Sequence, residues 1–247
     1  MLLRRTSDGS TRGVSTAHLD LEPTEEADLE RYLDVTRGEI VFARGVLLVE
    51  GEAEVYLLPA VGRMFGFDFD KLGISVCSVA GTHFEPYLKL IGPRGLDLPY
   101  AVLTDQDPQQ DGKRPGRKRV HSLYPFTYKP NGTATACPEV DHHDFMNATE
   151  QRGLFLNDHT LEVDLFRGGQ HEAIADTMLA LSTNSACHGR ARRWRTAPAD
   201  LDPAAFLKDI EAIGKGRFAQ RLASCLSGAG CPEYITKAIQ FVASQCQ

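Results

Sequence analysis

The sequence predicts an α/β fold: a mostly parallel sheet flanked by helices, with an additional helical domain after it. Three observations carry this expectation. Short apolar runs of strand length alternate with helix-length segments between about residues 46 and 104, the rhythm of βαβ architecture. Acidic residues stand directly after two of those runs, at Glu50 and Asp105, where a parallel sheet presents its ligand-binding edge. Beyond Gly168 and Gly169 the pattern turns helical. The expected organisation is a tail and helix over 1–39, a sheet domain over 40–169 and a helical domain over 170–247.

Residues 1–19 are polar and rich in Ser, Thr, Arg and Gly, and are expected to be loose. Helix signals begin at Thr24 as cap, with Glu25 and Glu26 at the positive end of the dipole and Gly38 as terminator. Strands are expected at Val46 to Val49, Ile74 to Val79 and Tyr100 to Thr104, and helices at Glu52 to Phe65 and Phe84 to Ile91. Pro59 falls inside the first of these helices, where a kink is expected. Residues 108–152 lack periodicity and read as a long functional loop or irregular excursion. Leu161-Glu162-Val163-Asp164-Leu165 alternates and reads as a half-buried strand with Glu162 and Asp164 on one face. Helices follow from Glu172 to Leu181, from Pro203 behind the cap Asp202 to Gly214, from Arg217 to Leu226, and after Pro232.

The 247 residues, 42% hydrophobic, suffice for a real core. A formal net charge of −6 argues against a wholly basic surface, yet cations cluster twice. Lys113, Arg114, Arg117, Lys118 and Arg119 read as a basic DNA-binding loop, and Arg190, Arg192, Arg193 and Arg195 surround Trp194 in a second candidate nucleic-acid contact. The six cysteines show no close pairing, and neither a signal segment nor a membrane-length apolar run is present, so a reducing cytoplasm and no membrane partner are expected.

The acids carry the chemistry. Glu50 and Glu54 lie one helical turn apart across Gly51, and Asp105 and Asp107, one residue apart, project to the same side of an extended backbone. Two carboxylates about 4 Å apart repel by roughly 4 kcal/mol at an effective dielectric near 20. Such a cluster raises the pKa of some members or holds divalent cations, and all-oxygen donors favour magnesium, manganese or calcium over zinc.

At these residues the chain resembles a TOPRIM domain, the metal-binding α/β module of topoisomerases, primases and several nucleases, whose signature is a strand-ending Glu plus an Asp-x-Asp pair. The context Val46-Leu47-Leu48-Val49-Glu50-Gly51-Glu52-Ala53-Glu54 with Leu57-Leu58-Pro59-Ala60 is similar to the OLD (overcoming lysogenisation defect) nucleases. Gly73-Ile74-Ser75-Val76, Thr160-Leu161-Glu162 and Gly214-Lys215-Gly216-Arg217 extend the likeness over roughly residues 25–230. The resemblance implies metal-dependent DNA cleavage with two Mg2+ or Mn2+ ions. It implies Glu50, Glu54, Asp105, Asp107 and Glu162 as ligands and Lys215 near the scissile phosphate. It implies DNA as partner, an ATPase domain for which this chain carries no phosphate-binding loop, and a homodimer. The rival readings are a non-catalytic nucleic-acid-binding TOPRIM module and a primase or topoisomerase.

Overall fold

The computed structural model describes all residues except 1, 6–8, 16, 18, 34–37, 109–112, 129–135, 139, 229 and 247. The central element is a four-stranded, wholly parallel sheet. Ahead of it, β1 (Leu2–Arg5) and β2 (Thr11–Val14) pair antiparallel, with Leu2 opposite Val14. Within 1–19, expected to be loose, the described residues Leu2–Arg5 and Thr11–Val14 form this pair, which composition does not report. Helix α1 (Pro23–Tyr32) starts a residue before the expected cap, because Pro23 takes the first turn and the Glu22 N–H donates to Glu25 Oε2 at 2.8 Å. The expected terminator Gly38 opens a 3-10 turn, Gly38–Val41, instead.

The sheet elements follow as β3 (Gly45–Val49), α2 (Glu52–Met64), the short α3 (Phe69–Leu72), β4 (Ile74–Ser78), α4 (Glu85–Ile91) and β5 (Tyr100–Thr104). Pro59 is accommodated within a single helix. The region expected to be irregular contains α5 (Pro115–Leu123), a 3-10 turn over Tyr124–Thr127, α6 (His142–Glu150) and a fourth strand, β6 (Leu154–Leu156). The sheet order is β4-β3-β5-β6, so all four strand C-termini open on one edge.

Alternation along each strand feeds two cores. Leu47, Val49, Ala101, Leu103 and Phe155 face one side, and Val46, Leu48, Val102, Leu154 and Leu156 the other. Helices α1, α4, α5 and α6 cover the second side. The first side receives α2 and the C-terminal helices: α7 (Leu161–Leu165), followed across a kink at Gly169 by α8 (His171–Leu181), then α9 (Ser185–Thr196), α10 (Pro203–Ile213), α11 (Lys215–Ala223) and α12 (Glu233–Cys246). The position expected to divide sheet from helical domain, 169/170, falls at the break between α7 and α8, where Gly169 leaves the helical region at φ 107°. Ile235, Ile239 and Val242 of α12 are fully buried in the same core as Leu47 and Leu103.

The expected strand at 161–165 is helix α7, a correction with a clear cause. All five residues are buried, so alternation of residue type reported no exposed face. In α10, by contrast, the sequence signals are met in full: Asp202 accepts from the Ala204 and Ala205 amides, and Gly214 ends the helix at φ 95°. Among the described residues, no helix is long and apolar enough to cross a membrane.

Candidate metal-binding active site

Glu50 directly follows β3, and its backbone carbonyl accepts from Gly81 N at 2.9 Å in the loop after β4. Its carboxylate oxygen Oε1 accepts from Thr104 Oγ1 at 2.5 Å, Asp105 N at 2.9 Å and Arg119 Nη1 at 2.5 Å. Neighbouring strand ends thus hold Glu50 across the β3–β5 pair. Glu54 is buried in the first turn of α2. Loss of water around it, with the charges of Glu162 and Glu50, pushes its carboxyl up from 4.5 to about 8.

Asp105 follows β5. Desolvation raises it well above the carboxylate range, and Glu50, Glu54, Glu162 and Asp107 add to the effect. Its Oδ1 accepts from the Asn157 side-chain amide, at the end of β6, and the Asn157 Oδ1 in turn accepts from Gln106 N at 2.7 Å. Asp107 turns away in the left-handed region at φ 48°, with its amide donating to His159 O at 3.3 Å. A non-glycine residue held there is a strained position characteristic of functional loops.

Glu162 and Asp164, expected on one face, diverge because they sit two residues apart on a helix. Asp164 Oδ2 accepts from the Asp158 and His159 amides, both at 3.1 Å, and so secures a turn. Glu162 lines the cleft. That cleft, about 230 Å³, is bounded by Glu50, Glu54, Asp105, Glu162, Lys215 and Gly216. Lys215 is an exposed residue at the first position of α11, a helix packed on α2. Asp107 stands outside the cleft, joined to it through Arg119 Nη2 at 3.5 Å.

The basic segment divides. Lys113, Arg114 and Lys118 are exposed. Arg117 is committed to α6, its guanidinium 4.1 Å from the Phe145 ring centroid and donating to Val140 O at 2.9 Å. Arg119 turns into the acids, where it also bonds Thr104 Oγ1 and, at 3.1 Å, Asp105 O. This follows from Gly116: a Cβ there would lie 2.2 Å from Asp105 O, so only glycine lets α5 dock so closely on the strand end. Gln106, 1% exposed, completes the dock by accepting Arg117 N at 3.1 Å.

In the second basic cluster, on α9, Arg192 is exposed and the other three arginines are ion-paired within the fold. Arg190 forms a two-pronged pair with buried Asp209 at 2.6 and 2.8 Å, Arg193 pairs with Asp200, and Arg195 with Asp176. Trp194 is buried, with its indole N–H on Asp200 O at 3.1 Å. Sequence reasoning missed Thr104, Gln106 and Asn157; their only signal was position at or beside a strand end.

The donor set suits hard divalent cations: carboxylate oxygens, two of them disfavouring ionisation through burial first and the neighbouring acids second. Among the described residues no three Asp, Glu, His or Cys groups are drawn together as a closed ion shell. The guanidinium of Arg119 instead meets the inner oxygens.

A parallel α/β sheet with a strand-ending Glu and an Asp-x-Asp loop at its carboxyl edge defines a TOPRIM-type module, a class whose members generally bind divalent metals. Residues 41–107 match the TOPRIM domain of overcoming lysogenization defect protein-like proteins. The fold is similar to the C-terminal region of the Burkholderia pseudomallei OLD protein, at 40% identity and TM-score 0.75, covering 83% of this chain and 100% of that one. It is also similar to the C-terminal region of the Xanthomonas campestris pv. campestris OLD protein, at 38% identity and TM-score 0.73, covering 85% and 96%. An uncharacterized Escherichia coli K12 protein, YbjD, is 30% identical over 115 residues, 47% of this chain; the match covers 20% of YbjD's own length. This chain belongs to the OLD family and corresponds to its C-terminal TOPRIM region.

Proposed function

We propose that this chain is a metal-dependent DNA nuclease that hydrolyses phosphodiester bonds with two Mg2+ or Mn2+ ions. The observation that carries the reading is the convergence of Glu50, Glu54, Asp105 and Glu162 on one cleft with Asp105 and Glu54 held far above their ordinary pKa. With Asp107 at the rim, these are the residues that would hold the ions. When bound, the ions supply an activated attacking water and stabilise the leaving oxygen.

The chain's own groups do the rest. Asn157 and the Asp105 amide fix Asp105 and Glu50 relative to each other. Lys215, at the cleft wall, neutralises charge on the phosphate oxygens. Lys113, Arg114 and Lys118 grip the DNA backbone through contacts that salt weakens and sequence does not govern. An ATPase domain and a second copy of the chain are the further partners of this reading.

Plasmid nicking tests it. Supercoiled DNA incubated with the protein and Mg2+ or Mn2+ is expected to relax, with Asp105→Ala and metal-free controls inert. DNA binding without metal-dependent cleavage at any protein concentration would instead establish a non-catalytic binding module.

A further inference from the structure

Resting on the metal-site reading above, we infer that Arg119 is a built-in placeholder for the divalent ion. Its guanidinium and an incoming cation compete for the same carboxylates, so metal loading requires Arg119 to withdraw.

Four contacts support this. Arg119 Nη1 donates to Glu50 Oε1 at 2.5 Å, to Thr104 Oγ1 and to Asp105 O at 3.1 Å, while Nη2 reaches Asp107 Oδ2 at 3.5 Å. A single guanidinium therefore bridges the strand-ending Glu and the Asp-x-Asp loop, the two halves of the ligand set, and bonds carboxylates of both. Two donors in a planar fork hold two carboxylates in a fixed relation, as a point-charge ammonium does not. The side chain is 15% exposed, so the interaction is largely shielded from salt.

The site is also built to receive it. Gly116, three residues earlier on the same face of α5, gives the close approach to Asp105, and Gln106 locks the first turn. Among the described residues the Arg119 guanidinium bonds only Glu50, Thr104, Asp105 and Asp107, unlike that of Arg117, which is anchored on Phe145. It can leave without unravelling the α5–α6 contact.

Competition gives a prediction opposite to that for a structural brace. If the closed form dominates without metal, apparent affinity falls in proportion to the fraction of open sites. Charge-assisted hydrogen bonds of this kind bias the equilibrium strongly enough that removing the guanidinium should tighten Mn2+ binding about tenfold or more. Free Mn2+ is counted by electron paramagnetic resonance during titration of the full chain, for wild type, Arg119→Gln and Arg119→Lys. The Gln variant should bind tightest, and Lys should fall between Gln and wild type. In parallel, the Arg119 side-chain Nε–Hε resonance of the wild type should shift as Mg2+ is added.

Equal or weaker Mn2+ binding by Arg119→Gln, or an unmoved resonance while Mg2+ binds, overturns the inference and leaves the nuclease reading standing. Absence of Mn2+ binding by wild type and both variants fails the metal reading itself, and the inference with it. Should Arg119→Gln not fold, as judged by circular dichroism, the Lys variant and the resonance of the wild type decide the question.

Discussion

Replacement of Glu54 by Gln tests the electrostatics of the cleft without testing activity at all. Glu54 is 8% exposed and its carboxyl is raised from 4.5 to about 8, first by loss of water and then by Glu162 and Glu50. An acid whose folded-state pKa lies above its unfolded value binds its proton more tightly when folded. Stability is therefore full below about pH 4.5 and falls as pH rises towards 8, where the unfolded chain has already released the proton. The rise corresponds to a ceiling of roughly 5 kcal/mol at 1.36 kcal/mol per tenfold change, and sharing of protons among the neighbouring carboxyls lowers it. Gln, neutral at every pH, imitates the protonated acid. In EDTA at pH 9, Glu54→Gln should therefore be more stable than wild type by at least about 2 kcal/mol, equivalent to about 4–8 °C for a chain of this size. The two should converge near pH 4.5. Mn2+ should reverse the order, because the wild-type carboxylate gains a ligand and the amide gains a poorer one. Calorimetry at pH 5, 7 and 9, with EDTA and with Mn2+, reads both effects. Parallel stability curves for the two proteins in EDTA would refute the account of a charge-starved cleft.

Three further substitutions have distinct expected outcomes. Asn157→Ala removes the amide that holds Asp105 Oδ1 and should weaken Mn2+ binding and plasmid nicking together by about 10–100-fold, with DNA affinity unchanged; loss of DNA affinity instead would make Asn157 a fold residue only. Arg190→Ala strands the buried Asp209 carboxylate and should cost about 2 kcal/mol, less than for a wholly buried pair because Arg190 is partly exposed. It should leave the salt dependence of DNA binding unchanged, whereas Lys118→Ala should reduce the log–log salt slope by about 1.

Strands β3, β4 and β5 were legible because they are short, mainly apolar runs, two of them closed by acids, while the three-residue β6 was too short to be read from an aperiodic stretch. Helix α10 was legible from Asp202, Pro203 and Gly214 alone. Helix α9 was obscured by its arginines, although Cys187, Ala191 and Trp194 form a buried stripe at helical spacing. Charge in a sequence reports a sign but no direction: Asp209, Asp200 and Asp176, which take up three of those arginines, all lie beyond the i,i+4 spacing at which a helix pairs its own charges. The same limit concealed Asn157, which follows a strand of only three residues. Helix α7 failed for the opposite reason, since a fully buried five-residue segment offers no exposed face from which a period can be read.

Arg119 brings these limits together. Its place among the basic residues of 113–119 suggested a shared role on the DNA backbone, yet the segment is a helix from Pro115 onward, and a helix sends consecutive residues in different directions. Lys118 therefore faces solvent while Arg119, on the face of Gly116, enters the acid cluster. The acids need positive charge at that point and the sheet supplies none of its own. Arg119 supplies it at Glu50 and Asp107. An entering ion and the guanidinium then exchange one cation for another at the same oxygens, and the attraction each gives up is what the other must exceed.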